Sequence, residues 1–429
     1  MGNNWLRVAG AALATCFGVG TAHASGFGLR ESSADTLGNA FAGQTAKAYD
    51  AGSAWTNPAG MVRLNWNEID GALNYIDPHA TFRGQNFQGG VPTTGVPGSN
   101  AVQSAATAGT FSVWSYSPNL KFGLAVTSPF GERVSYPGNF VGRYQGLTSS
   151  ITDVEATLSA AIKINNQLSI GAGPVIDFFH ARLTQAISLG PLSAVTGDPV
   201  GDLSGNDTAV GFVASGLYQV SPALRFGLVY RSRIHHSISG DQSIYLPPKV
   251  AAIGPIANLL SIGNSQARSE ITLPDNITGG VYYDVTPRLA VMADVQWTHW
   301  SLFKQLTIVP ANGGPITSTP ENWRNTWFGS VGASYRLTEK LMLQGGVGYD
   351  QSPTTDSNRT TRIPDYSRFL VGIGVTYAVL PNVNVQAAYL RLIDGNVNIN
   401  NSASPGAGTI VGRYHDEANS ASLGVAVKF

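Results

Sequence analysis

Apolar residues recur along this chain with a period of two. Leu120, Phe122, Leu124 and Val126 alternate with Lys121, Gly123, Ala125 and Thr127. Val154, Ala156, Leu158, Ala160 and Ile162 alternate with Asp153, Glu155, Thr157, Ser159 and Lys163. Leu289, Val291, Ala293, Val295 and Trp297 do the same against Ala290, Met292, Asp294, Gln296 and Thr298. Similar runs occupy roughly 67–77, 110–116, 168–183, 208–219, 223–234, 276–285, 325–336, 341–350, 368–377, 383–391 and 419–429, fourteen in all. Each is close to the ~9–11 residues with which a tilted strand crosses a bilayer. Past the first 24 residues, no segment holds 18 uninterrupted apolar residues, so helical spans are excluded.

The connections sharpen this reading. Six are short: 117–119, 165–167, 220–222, 285–288, 337–340 and 380–382. They carry Pro, which presets φ, and Asn, whose side chain bonds the nearby backbone. Seven are long, near 78–109, 129–152, 184–207, 235–275, 301–324, 351–367 and 392–418, and the two kinds alternate. A closed antiparallel barrel of fourteen strands with both termini in the periplasm needs six turns and seven outer loops. A soluble β-sandwich also alternates, but it does not account for the short/long asymmetry. The last strand fits too: Leu423, Val425, Val427 and Phe429 share one face, and Ser422, Gly424, Ala426 and Lys428 share the other. The polar face must look inward, because a charge on the lipid face at the midplane costs ~2–4 kcal/mol.

Composition agrees. Of 429 residues only 12% are charged, half the ~25% of soluble domains. The 26 Lys and Arg balance the 26 Asp and Glu, so the chain lacks the basic surplus of a nucleic-acid binder. A single Cys excludes a disulfide scaffold or a Cys-rich zinc module. No cofactor or metal site is expected.

The N-terminus reads as an export signal. Arg7 precedes the apolar stretch 8–20, and Ala22-His23-Ala24 is a small-x-small cleavage site. Cleavage is expected after Ala24, making residues 1–24 the leader and Ser25 the mature N-terminus. A lipoprotein signal ending at Cys16 is the alternative, though Thr15 is a poor residue before a lipidated Cys. Residues 25–63 do not alternate; they are small and polar, with a capped helical stretch from Ser33 to Ala42 and another near Ala48. Tethered to the first strand of a barrel spanning 64–429, this segment is expected to fold into the lumen as a plug, or hatch.

An ordered set of motifs then becomes visible: Ser25-Gly26-Phe27, Leu37-Gly38-Asn39-Ala40, Asp50-Ala51-Gly52, Asn57-Pro58-Ala59, Gly142-Arg143-Tyr144-Gln145, Leu273-Pro274-Asp275, Trp297-Thr298-His299-Trp300-Ser301, and the run Arg362-Ile363-Pro364-Asp365-Tyr366-Ser367-Arg368. This set resembles the FadL/TodX family of outer-membrane transporters for long-chain fatty acids and other hydrophobic compounds, over essentially the whole mature chain. The resemblance implies a hatch and ligand exit sideways through the wall. It implies a gating role for Asn57, Pro58 and Ala59 and for a kink at Ser128, Pro129, Phe130 and Gly131. Local sequence alone also allows Pro129 simply to end the third strand, since it has no N–H for a ladder. By the same resemblance Phe27 is the residue that occupies the ligand pocket.

Two loops are conspicuously apolar, 184–207 and 235–275. In the second, Ile253, Ile256, Leu259 and Leu260 fall at helical spacing. Either these loops cap the barrel, or they form the groove that collects amphiphiles in the family. A fatty-acid carboxylate calls for a cation; Arg182, Arg324 and Arg231 are candidates. Each has the alternative of pairing with an interior acid such as Asp153, Glu155 or Asp294. The expected partners are a long-chain fatty acid or another hydrophobic small molecule, outer-membrane lipids and lipopolysaccharide, and the barrel-assembly machinery during insertion, with the protein a monomer. Aromatic or other hydrocarbons are the alternative cargo. A general porin conflicts with the plug. A hydrolase conflicts with the lack of a triad or H-E-x-x-H spacing among the seven His.

Overall fold

The computed structural model describes residues 26–429 apart from 262, 315 and 403–405. The expected leader, its cleavage site and Ser25 fall outside the described residues. Fourteen antiparallel strands form the wall: β1 (Glu68–Gln88), β2 (Ala105–Ser117), β3 in two parts (Leu120–Thr127 and Gly131–Ser135), β4 (Thr148–Lys163), β5 (Leu168–Ala186), β6 (Val200–Gln219), β7 in two parts (Leu224–Arg231 and Ile234–Tyr245), β8 in two parts (Ser265–Leu273 and Asn276–Asp284), β9 (Leu289–Thr298), β10 (Thr326–Arg336), β11 (Leu341–Asp350), β12 (Arg368–Leu380), β13 (Val383–Asn401) and β14 (Thr409–Lys428). Each pairs with its neighbour in sequence, and β14 pairs with β1 from Glu68↔Lys428 to Phe87↔Thr409, which closes the barrel.

The alternation that marks the strands is the alternation of two solvents. Along β14, Leu423 is 66% exposed and Phe429 60%, while Ser420, Ser422 and Ala426 are buried. Outward side chains meet lipid and inward ones meet the lumen. All six short turns fall where the sequence places them. The long connections differ, because their flanks are strand. β1 runs on to Gln88 and β14 begins at Thr409, so most of 78–88 and 409–418 is paired wall. Likewise 235–245 and 265–273 continue β7 and β8. Once clear of the bilayer, a strand needs no apolar outer face, so the periodicity fades although the ladder continues.

Residues 26–63 lie among the inward faces of these strands. Ser33 caps the helix Ala34–Gly38, its Oγ accepting from the Thr36 N–H at 3.3 Å. The second helix lies at Ser53–Thr56 rather than near Ala48, whose φ of +48° is incompatible with a right-handed helix. A 3-10 turn, Pro58–Arg63, leads into the wall. Asn39 Nδ2 donates to Ala333 O at 2.8 Å, and the Asp294 carboxylate accepts from Gly43 N, Thr45 N and Thr45 Oγ1. The approach is so close that a Cβ on Gly346 of β11 would lie 2.0 Å from Asn39 O. Glycine in the wall is therefore a packing requirement here.

Candidate functional site

The ladder between β2 and β3 runs from Ser117↔Leu120 to Thr110↔Val126 and then stops. Pairing resumes only at the bridge Val102↔Val134, with Gln103 N donating to Arg133 O at 3.0 Å. Between them, residues 104–109 of the β2 edge face no partner strand, roughly 20 Å of edge at about 3.3 Å per residue. The cause lies in β3. On its other side it pairs with β4 at Thr127↔Glu155 and again at Gly131↔Thr152, so Ser128, Pro129 and Phe130 stand opposite only Asp153 and Val154. One extra residue and a Pro without an N–H make this a bulge that breaks the wall. Ser128–Phe130 thus bulge out of the β3–β4 ladder.

The broken segment bonds inward to residues 27–29, which precede the barrel. Leu29 N donates to Pro129 O at 2.7 Å and Gly131 N to Phe27 O at 2.9 Å, with Gly28 and Phe130 bridged as an antiparallel pair. On the far side of the gap, Thr107 Oγ1 donates to Glu31 O at 3.4 Å, and a Cβ on Gly109 would lie 2.1 Å from Ser32 O. Residues 27–32 therefore span the opening from within. Behind them lies a cavity of about 130 Å3 bordered by Arg30, Trp55, Ser128, Phe130, Arg231 and Trp300.

Phe27 is 1% exposed. Its ring sits 4.9 Å from Trp300, 5.7 Å from Trp323, 5.8 Å from Phe130 and 6.1 Å from Phe303. Gly26 N donates to Asp365 Oδ2 at 3.0 Å and so pins the start of the segment. Beside Phe27 an apolar slot of about 60 Å3 continues between Ile151, Phe179, Leu183, Ile271 and Leu306. Its polar lining includes Glu321 and Arg362. Arg362 Nη2 donates to Gln185 Oε1 at 2.7 Å, and Nη1 to the Thr148 carbonyl at 3.3 Å. Among the described residues it forms no salt bridge. Burial lowers the guanidinium to about 10, so it stays cationic at neutral pH. Burial likewise raises Glu321 to about 8, although Trp323 Nε1 donates to it at 3.1 Å and Arg362 favours its charge.

The arginines singled out in the sequence do not line this slot. Arg182 lies between the inward Ala181 and Leu183 and pairs through two hydrogen bonds with Asp202 on the next strand, at 3.0 and 2.6 Å. Arg324 is exposed and donates to Ser352 O at 3.2 Å. Arg231 pairs with Glu155 at 2.9 Å and lies over Trp55. Arg362, which the sequence offers only as part of a motif, enters the slot because loop 351–367 turns into the lumen. Asn57 is an anchor: its Nδ2 donates to Thr45 O at 2.5 Å and Gly216 O at 3.2 Å. Ala59 is held by Ser215 Oγ and Ser169 Oγ, so Asn57, Pro58 and Ala59 sit against β5 and β6, while Trp55 and Thr56 border the cavity at the break. Ile256, Leu259 and Leu260 lie on an outer-loop helix, Gly254–Ser261, one residue beyond Ile253, with Leu259 exposed; Lys249 Nζ donates to Val195 O and so ties this loop to the loop at 187–199.

A closed fourteen-stranded barrel, lipid-facing outside and with an aromatic site within, defines an outer-membrane β-barrel protein. The sequence profile described as "Outer membrane protein transport protein (OMPP1/FadL/TodX)" matches residues 15–429, and the chain belongs to this family. The long-chain fatty acid transport protein of Escherichia coli K12 is 26% identical over 405 residues, 88% of this chain and 90% of that one. The crystal structure of a Pseudomonas aeruginosa FadL homologue superposes with a TM-score of 0.86 at 25% identity, covering 94% of this chain and all of that one. The Ralstonia pickettii toluene transporter TbuX shares the fold at a TM-score of 0.69 and 16% identity, over 94% and 99% of the two chains. The protein is thus an outer-membrane transport protein of this family rather than an enzyme.

Proposed function

We propose that the protein takes up long-chain fatty acids and releases them sideways into the membrane. The observation that carries the cargo is Arg362, a half-buried cation at an apolar slot beside Phe27 that forms no salt bridge among the described residues, although the carboxyls of Glu321 and Glu132 lie near enough to act on it. A hydrocarbon gives such a cation nothing to bind, whereas a fatty acid supplies a carboxylate for it and an alkyl chain for the slot. Ligand is collected at the apolar outer loops, around Ile253, Ile256, Leu259 and Leu260, and passes inward. There it takes the place of the Phe27 ring. Residues 25–63 act as the hatch, with Asn57, Pro58 and Ala59 fixing its far end while 27–32 move. Their departure from Pro129 and Gly131 opens the gap at 104–109 to the bilayer.

One feature favours aromatic hydrocarbons instead: Trp300, Trp323, Phe303 and Phe130 form a ring-sized site around Phe27. Binding of oleate, oleyl alcohol and toluene to the purified wild type and Arg362→Leu separates the two. For fatty acid as cargo, the variant loses oleate affinity by roughly 10-fold or more, as expected for a charge-assisted bond of ~1.5–3 kcal/mol, and keeps oleyl alcohol. Toluene binding that exceeds oleate binding in the wild type, with no effect of the variant, favours hydrocarbons.

A further inference from the structure

At the short-turn end of the barrel, far from Phe27, a second cavity of about 540 Å3 opens, and its lining is cationic. Arg225, at the start of β7, is buried, with its guanidinium 3.7 Å above the ring of Tyr282, its cross-strand neighbour on β8. It donates to the carbonyls of Ala46 and Lys47 in the N-terminal segment. Arg63 reaches the cavity from the 3-10 turn and bonds Gln219. Arg288 and Arg336 complete the wall as direct neighbours, with Arg336 N donating to Arg288 O at 2.8 Å.

The lining holds one carboxylate, Asp284, and that group already accepts from the Tyr282 hydroxyl at 2.7 Å. The nearest turn adds Glu339 and Lys340, which cancel. Like charges placed opposite one another across a ladder are destabilising. Yet among the described residues neither Arg288 nor Arg336 has a salt bridge. Two arginines with bonded backbones, both lining one cavity and neither in a salt bridge, offer two guanidinium forks to an oxyanion with two acceptor oxygens.

We propose that this vestibule binds a small anion bearing a carboxylate or phosphate group, clamped by Arg288 and Arg336 with Arg63 and Arg225 behind them. Short turns face the periplasm in barrels of this class, so the ligand arrives from that side. Occupancy relieves the repulsion between the two arginines. Through Arg225 and its bonds to Ala46 and Lys47, it also bears on the N-terminal segment.

Calorimetric titration of the full chain in detergent at low ionic strength tests this, with inorganic phosphate in one arm and acetate in the other. At least one arm is expected to give saturable one-site heat, weakened 10-fold or more in Arg288→Gln/Arg336→Gln. The arm that responds identifies the anion class. Unchanged oleate binding by the same sample reports that the variant is folded. Arg336→Lys, which keeps the charge and loses the fork, is expected to weaken binding several-fold and serves if the double variant misfolds. No saturable heat with either anion in the wild type, or heats unaltered by the substitutions, overturns the proposal.

Discussion

Leu29 donates its backbone N–H to the carbonyl of Pro129 at 2.7 Å. A residue of the segment that precedes the barrel thus completes the hydrogen bonding that a wall strand loses at its bulge. With Gly131 N to Phe27 O it forms a two-bond ladder, and the Phe27 ring fills the aromatic site next to it. Wall integrity and pocket occupancy are therefore held by the same few residues; in the proposed mechanism a ligand that displaces one loosens the other.

Phe27→Ala removes the plug while leaving the barrel ladders intact. Burying a Phe side chain contributes ~1.5–3 kcal/mol, so the latched state loses roughly 10- to 100-fold in population. Oleate, no longer competing with the ring for the site, is expected to bind the purified variant correspondingly tighter, with the thermal unfolding of the barrel shifted little. Oleate affinity equal to wild type contradicts this role.

The pH dependence of fatty-acid binding follows from Glu321. Burial, set partly against its contacts with Trp323 and Arg362, raises this carboxyl from 4.5 to about 8. Below that pH it is neutral and leaves Arg362, itself near 10, to the substrate. Above it, the ionised carboxylate competes for the guanidinium. Oleate affinity is expected to fall as pH rises through about 8, and Glu321→Gln to flatten the profile. The group is protonated more readily folded than unfolded, so its contribution to stability is fully present below about pH 4.5 and fades as pH rises through 8. A wild-type binding profile flat from pH 6 to 9 rules this out.

Asp294 is the inner fastener of the N-terminal segment, because Gly43 N, Thr45 N and Thr45 Oγ1 all donate to it. In Asp294→Ala those three donors lose their acceptor, at ~0.5–1.5 kcal/mol per hydrogen bond. Hydrogen exchange over residues 39–47 is expected to accelerate by 10-fold or more, with exchange in β9 and β10 unchanged. Equal protection in variant and wild type argues against the fastening.

The wall was readable because the bilayer enforces one rule on every strand, and turns such as 117–119 and 380–382 end where that rule ends. Strand extensions such as 78–88 were hidden, since outside the lipid the ladder persists without apolar alternation. The break at Ser128–Phe130 was signalled by Pro129, but the missing β2 partner was not, because an unpaired edge at 104–109 leaves no trace in its own residues. Arg182 illustrates a recoverable signal: its position between Ala181 and Leu183 already assigns it to the outer face, where it stands opposite Ser204 and bonds Asp202 diagonally. Arg362 had no such signal. Its place in the slot depends on how loop 351–367 folds back, which no local periodicity records.

In the proposed mechanism residues 27–32 must leave the β3 break for transport to occur. Gly28 and Phe130 form an antiparallel bridge flanked by the bonds Leu29 N to Pro129 O and Gly131 N to Phe27 O. Such a pair holds its Cα atoms ~4.5 Å apart, within the ~4.4–6.8 Å that a disulfide accepts. The sequence has one other cysteine, at position 16 in the expected leader. The decisive measurement is labelled oleate uptake by cells carrying Gly28→Cys/Phe130→Cys, before and after reduction. Uptake at background when oxidised and restored by dithiothreitol is the predicted result; full uptake with the disulfide intact contradicts the account.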